Sequence, residues 1–152
     1  MSGLICETSP VGALGVDAAD GAITALYWGR AGTLRKGPLF DQARAEMAAY
    51  FAGKLTEFTV PLAPRGTQFQ HAFYAALCAI PYGETRTYGD LAKSLSVSAQ
   101  AIGQACGANP IAILIPCHRV LGAQGLGGYS GEGGVDAKVA LLRLERAAGL
   151  LI

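Results

Sequence analysis

Apolar positions in the chain come in short runs, and their spacing separates two stretches of different character. Residues 4–7, 14–16 and 23–28 are brief runs with strand character, punctuated by Ser9-Pro10 and by Asp20-Gly21. An Asp-Gly pair between two such runs is a tight-hairpin signal, because both residues tolerate positive φ, so the pattern predicts a small antiparallel sheet. Over residues 40–51 the period changes, and Phe40, Ala43, Met47, Tyr50 and Phe51 share one side of a helix. That stripe is core rather than a cofactor box. Residues 55–62 read as a final strand, ended by the PLAPRG stretch over 61–66 with its two prolines and a glycine. The expected domains are therefore 1–63, a sheet-and-helix scaffold that gathers no chemistry, and 66–152.

Beyond that boundary the helical period dominates. Phe69, Phe73, Ala76, Leu77 and Ile80 recur at helical spacing, and Pro81, Tyr82 and Gly83 stop the helix in a turn. Thr87 caps a predicted short helix over 88–95, Ser96 and Val97 turn the chain, and Ser98 caps a second helix over 99–107. Two short helices and a tight turn fit a helix-turn-helix, although any small helical domain contains such a pair. After Asn109-Pro110 comes a run, 111–115, so continuously apolar that it predicts a strand buried on both sides. Residues 116–120 read Pro, Cys, His, Arg, Val, and a glycine-rich loop is predicted over 122–134. A last amphipathic helix begins near Asp136, with Val139, Leu141, Leu142 and Leu144 facing inward. The fold class is mixed α/β in the α+β sense: a small antiparallel sheet with a helix, then a mostly helical domain carrying the helix-turn-helix and a candidate active-site cysteine.

Composition removes several function classes. The chain is 51% hydrophobic and 15% charged, yet no run approaches the roughly 20 apolar residues a membrane span needs, so a soluble protein is expected. Its start lacks a secretion pattern, and a cytoplasmic location is expected by default. A net charge of +1 and a pI near 7.7 leave no basic footprint for nucleic acid. No Lys or Arg occurs between Lys93 and Arg119, so any nucleic-acid contact there would have to come from helix N-termini, backbone amides and neutral side chains. Cys6, Cys78, Cys106 and Cys117 form no CxxC and have two histidines for company, which argues against disulfides and zinc. Cys6, Cys78 and Cys106 are expected to be small buried hydrophobes.

Cys117 differs. The thiolate is the reacting form of cysteine, and a neighbouring base or cation favours it. Cys117 alone sits at the predicted exit of a buried strand and next to an imidazole. Neighbours in an extended chain point to opposite faces, so His118 is expected to reach it through a bridging water or a local bend. Glu145, on the last helix, is the carboxylate best suited to orient His118, giving a relay in which acid holds base and base takes the thiol proton. The competing reading is a buried cysteine beside a histidine satisfied by a carbonyl. By the same token Tyr88 packs at a helix start, Asn109 caps the preceding helix, and Arg119 is a surface ion-pair partner.

Sequence context weighs between these readings. ILIPCHRV over 113–120, with Asn109-Pro110 before it and Tyr129-Ser130-Gly131 after it, closely resembles the O6-alkylguanine-DNA alkyltransferase family. The resemblance spans residues 66–145. The first part is similar to that family's variable N-terminal domain in length and coarse pattern, which implies a ribonuclease H-like sheet. The resemblance implies direct, irreversible, single-turnover transfer of an alkyl group from O6 of guanine to Cys117, the nucleotide being flipped out of the duplex, with O4-alkylthymine a further candidate substrate. It makes Cys117 the acceptor, His118 its water-mediated base, Glu145 the partner of His118, and Asn109 a brace for the cysteine-bearing turn. Tyr88 would donate toward N3 of the flipped base. Tyr129, Ser130 and Gly131 would lie over the alkyl group and O6, and the carbonyls of Cys117 and Val120 would recognise the exocyclic amine.

Gln100, Ala101, Gly103 and Arg119 fall where the resemblance implies DNA contacts, but the family usually carries arginine at the position of Gln100. Glutamine lacks that charge and reach, so weaker DNA binding with retained cysteine chemistry is expected. Alkylated double-stranded DNA is the implied partner. No cofactor, metal, membrane or obligatory protein partner is expected, and the chain is expected to be a monomer. Three other readings compete: a module that recognises alkylated DNA without repairing it, against which Cys117 argues; a cysteine hydrolase, which needs direct Cys117–His118 contact and an oxyanion hole; and a helix-turn-helix regulator, which wants basic residues on its second helix.

Overall fold

Asp20 and Gly21 form the expected two-residue turn, at φ 52° and 79°, in a computed structural model that describes residues 2–6, 8–29, 35–122, 125, 127 and 134–147. Positive φ at both positions matches the turn to the twist of the strands it joins. The strands are β1 (Ser2–Cys6), β2 (Leu14–Ala19) and β3 (Ala22–Trp28), antiparallel in the order β1-β2-β3. Leu14, Val16 and Ala18 alternate into the core from β2, as period-two patterning demands. Gly15 pairs with Tyr27, whose ring lies where a Cβ on residue 15 would sit; glycine is what admits that close approach.

Helix α1 (Pro38–Phe51) packs on β1 and buries Phe40, Ala43, Met47 and Tyr50. Proline in its first turn supplies a helical φ where no N–H is needed. The strand expected over 55–62 is absent: the segment makes a single parallel bridge, Ile23 to Leu62, through Ile23 N to Pro61 O (2.8 Å) and Ala63 N to Ile23 O (2.7 Å). Two local causes explain this. The N–H groups of Thr59 and Val60 donate to Glu46 Oε1 at 2.8 and 3.1 Å, and Pro61 has no N–H to offer a ladder. These elements lie in the first of two compact units, Met1–Arg65 and Gly66–Ile152.

In the second unit α2 (Gln68–Cys78) opens with a capping box between Thr67 and Gln70, and a second box, Thr87 with Asp90, starts α3 (Tyr88–Leu95). Each box satisfies two backbone donors that a helix start leaves open. Ser96 ends α3 in the left-handed conformation, and Ser98 caps α4 (Ala99–Gly107), which packs against α3.

The expected buried strand over 111–115 is a correction. All ten residues from 111 to 120 are buried, but the chain turns tightly on itself, with Ile113 at φ 73° and bonds from Leu114 N to Ala112 O and Ile115 N to Ile111 O, both 2.9 Å. Continuous apolarity requires burial, not extension. A 3₁₀ turn, Cys117–Arg119, follows, and then β5 (Val120–Leu121), parallel to β4 (Arg86–Thr87). Helix α5 (Gly134–Leu144) buries Ala137, Lys138, Leu141 and Leu142. Val139 and Leu144, expected inside, are only half-buried; the stripe is rotated to take in a lysine.

Candidate active site

Asn109 builds the platform for the cysteine. Its Oδ1 accepts from Ile111 N (3.0 Å) and its Nδ2 donates to Ile115 O (2.9 Å), so one side chain clips both ends of the buried turn. Cys117 N then donates to Ile115 O at 2.8 Å. This places Cys117 at the start of the 3₁₀ turn with 3% of its surface exposed. Burial pushes its thiol up, opposed by a hydrogen bond with the Asn109 side chain and by the charge of Lys138. The sulfur therefore rests as a thiol, and attack needs a base to take its proton.

His118 has no exposed surface. Its Nε2 lies 2.7 Å from Glu145 Oε2, which assigns the ring proton to Nε2 and leaves Nδ1 as the acceptor. Nδ1 is buried without a hydrogen-bond partner, so no direct bond joins it to the Cys117 thiol. Burial holds the imidazole below its ordinary value, Glu145 pulls it upward, and Arg119 and Lys138 push it down. The net direction keeps His118 neutral and able to accept a proton. Glu145 itself sits one residue past α5, its N–H still bonded to Leu141 O at 3.0 Å.

Arg119 is an ion-pair partner, but a buried one rather than the surface one expected. It lies neither at the surface nor toward solvent: it is 6% exposed, with Nε on Glu145 Oε1 (2.8 Å), Nη2 on Oε2 (3.0 Å) and Nη1 on the Ile80 carbonyl (2.7 Å). Lys138 is a residue that sequence reasoning missed. Its Nζ donates to Val120 O at 2.6 Å and lies 5.9 Å from the centre of the Tyr88 ring. The signal was present, since Lys138 stands three and four residues before the buried Leu141 and Leu142.

Tyr88 opens α3 half-buried, and its ring lies 2.9 Å from where a Cβ on Gly127 (φ 70°) would be. The Val120 carbonyl is engaged by Lys138, and that of Cys117 accepts from Val120 N; each keeps a second lone pair for another donor. Gln100 and Gly103 are exposed on α4, and Ala101 is half-buried. Tyr129, Ser130 and Gly131 lie outside the described residues. Cys78 is exposed and Cys6 and Cys106 half-buried, not buried as expected. Among the described residues, no three His, Cys, Asp or Glu side chains gather into a metal site, and no helix is long and apolar enough to cross a membrane.

Both units match known families. Residues 5–64 match 6-O-methylguanine DNA methyltransferase, ribonuclease-like domain, and residues 68–147 match 6-O-methylguanine DNA methyltransferase, DNA binding domain. A methylated-DNA–protein-cysteine methyltransferase of Mycolicibacterium paratuberculosis is 45% identical over 148 residues, covering 91% of this chain and 88% of that protein. The crystal structure of Mycobacterium tuberculosis OGT in complex with DNA gives a TM-score of 0.83 at 45% identity, covering 95% of this chain and 92% of that one. The structure of Mycobacterium tuberculosis O6-methylguanine methyltransferase gives 0.83 at 42% identity, covering 100% of this chain and 97% of that one. Matched along both units and at this identity over most of its length, the chain belongs to the 6-O-methylguanine DNA methyltransferase family.

Proposed function

We propose that this protein repairs O6-alkylguanine in duplex DNA by moving the alkyl group onto Cys117, once and irreversibly. The observation that carries this reading is the buried thiol beside an imidazole pinned through Nε2 to Glu145, its Nδ1 left open as an acceptor. His118 takes the thiol proton through a water between Sγ and Nδ1. The sulfur then attacks the alkyl carbon, the S–C bond forms as the C–O6 bond breaks, and the electron pair leaves with guanine. Tyr88 donates its phenolic proton toward N3 of the departing base. The thioether has no route back to a thiol, so each molecule acts once.

DNA binding is assigned to α3 and α4, the exposed Gln100 and Gly103 facing the duplex and the α4 N-terminus supplying backbone donors to phosphate. Membership in this family and the likeness to a relative solved with DNA support that assignment. The protein acts as a monomer in the cytoplasm, where a reducing milieu keeps Cys117 a thiol. A cysteine hydrolase would need His118 bonded directly to the thiol, and the unpartnered Nδ1 weighs against it.

The test is to mix the protein with a duplex containing O6-methylguanine and weigh the Cys117 peptide. A stable gain of one methyl group, saturating at one equivalent, is expected, and Cys117→Ser should leave the lesion intact. Repeated turnover, or a methyl group on another residue, would overturn the reading.

A further inference from the structure

The proposed reaction leaves Arg119 without a task. Its guanidinium closes a fork on both oxygens of Glu145, at 2.8 and 3.0 Å, while its third arm reaches the Ile80 carbonyl, just past α2, at 2.7 Å. Oε2 of Glu145 is thereby shared between the guanidinium and His118 Nε2, 2.7 Å away. Glu145 is 1% exposed, so no bulk water moderates these contacts.

We propose that Arg119 is a positioning residue of the relay: its fork fixes Glu145 against His118 and matches the carboxylate charge, so the imidazole stays neutral with Nδ1 open to the thiol proton. The inference rests on the reading of His118 as the base for Cys117. An unmatched buried carboxylate this close to an imidazole favours imidazolium, which carries protons on both nitrogens and accepts none. A guanidinium keeps its charge at any working pH and grips a carboxylate in a fixed plane, as a lysine does not. The Ile80 anchor sets that plane from outside the segment that carries the acceptor.

The charged and titratable groups acting on His118 are Glu145, Arg119 and, from α5, Lys138, with Cys117 its chain neighbour. Tyr82 and Cys78 also interact with Arg119, and Tyr82 with Glu145 and Arg146. Of these, Glu145 draws the imidazole upward while Arg119 and Lys138 oppose it, and Arg119 holds the carboxylate itself through its two-armed fork.

The experiment follows the His118 ring nitrogens by NMR across pH in the full chain, alongside the pH profile of methyl transfer, for wild type, Arg119→Met, Arg119→Lys and the double variant Arg119→Met with Glu145→Gln. In Arg119→Met the neutral imidazole fraction near neutral pH should fall about tenfold, with the transfer rate falling in parallel and recovering in alkali. Arg119→Lys should fall between, and the double variant should titrate like wild type because both charges are gone. An unmoved His118 titration in Arg119→Met would overturn the proposal; if that variant does not fold, an unmoved titration in Arg119→Lys, or an upward-shifted one in the double variant, does so. If the wild type transfers no methyl group, the acceptor reading fails, while the ring-nitrogen titration still decides what Arg119 does to His118.

Discussion

Lys138 donates to the Val120 carbonyl at 2.6 Å from a position with no exposed surface. Burial holds its ammonium below the ordinary lysine range, while Cys106 and Cys117 draw it back up. The same charge works on Cys117, opposing the rise that burial imposes on the thiol. Lys138→Met keeps the length and apolar packing but removes the charge. The thiol should then titrate higher, and its alkylation by iodoacetamide near neutral pH should slow by about 3- to 10-fold. Rates measured across pH decide this, because a packing defect would change exposure without moving the titration. An unchanged rate profile would show that Lys138 serves the Val120 carbonyl alone.

Features governed by neighbours in sequence were legible before the fold was known. The Asp20-Gly21 turn and the caps at Thr87 and Ser98 depend on a few adjacent residues, so local chemistry determines them. The pairing of His118 with Glu145 was legible for another reason: the chain has two histidines, and the one beside Cys117 calls for a carboxylate to orient it, which the last helix offers in Glu145. Shape inside the apolar run was not legible. Whether 111–115 extends or coils depends on Asn109 clipping Ile111 to Ile115 and on Ile113 taking φ 73°, and a hydrophobic run is silent on both. Charge direction was equally hidden. Arg119 and Lys138 point inward because Glu145, Ile80 and Val120 offer acceptors there, and partners 26, 39 and 18 residues away leave no local pattern.

Asn109→Ala should destabilise the protein by about 1–3 kcal/mol, since it strands the Ile111 N–H in a buried turn and leaves the Ile115 carbonyl with Cys117 N as its remaining donor. Urea unfolding followed by tryptophan-independent circular dichroism measures it. The same change removes the hydrogen bond that lowers the Cys117 thiol, so iodoacetamide should also react more slowly at a given pH. A loss below about 0.5 kcal/mol would mean that water replaces the amide and that Asn109 does not brace the turn.

Gln100→Arg should tighten binding to alkylated duplex while leaving free-thiol reactivity unchanged. Gln100 is exposed on the first turn of α4, and α4 carries no Lys or Arg. One added cation meeting DNA steepens the dependence of log affinity on log salt by about 0.9. Fluorescence anisotropy at several salt concentrations reads that slope. An identical slope would place residue 100 away from the nucleic acid.

Glu46 gives the first unit a pH-dependent joint. Burial raises its carboxyl, but hydrogen bonds from Gln42, Thr59 and Val60 overcome that and hold it below its ordinary value of 4.5. A carboxyl lowered on folding contributes stability that is present above its unfolded value and is lost as pH falls through the folded one. Stability of the wild type should therefore decline as pH drops below about 4.5 toward the folded value, as carboxylates protonate. Glu46→Gln should remove this residue's part of that decline. At neutral pH it should cost about 1 kcal/mol, a figure reduced from that of a fully buried charge because Glu46 is half-buried and solvent screens it. Thermal unfolding of both proteins from pH 3 to 7 tests it: the curves should converge in acid and separate toward neutrality. A gap that stays constant across that range would assign the cost to packing rather than to the charge that holds residues 59 and 60 off the sheet.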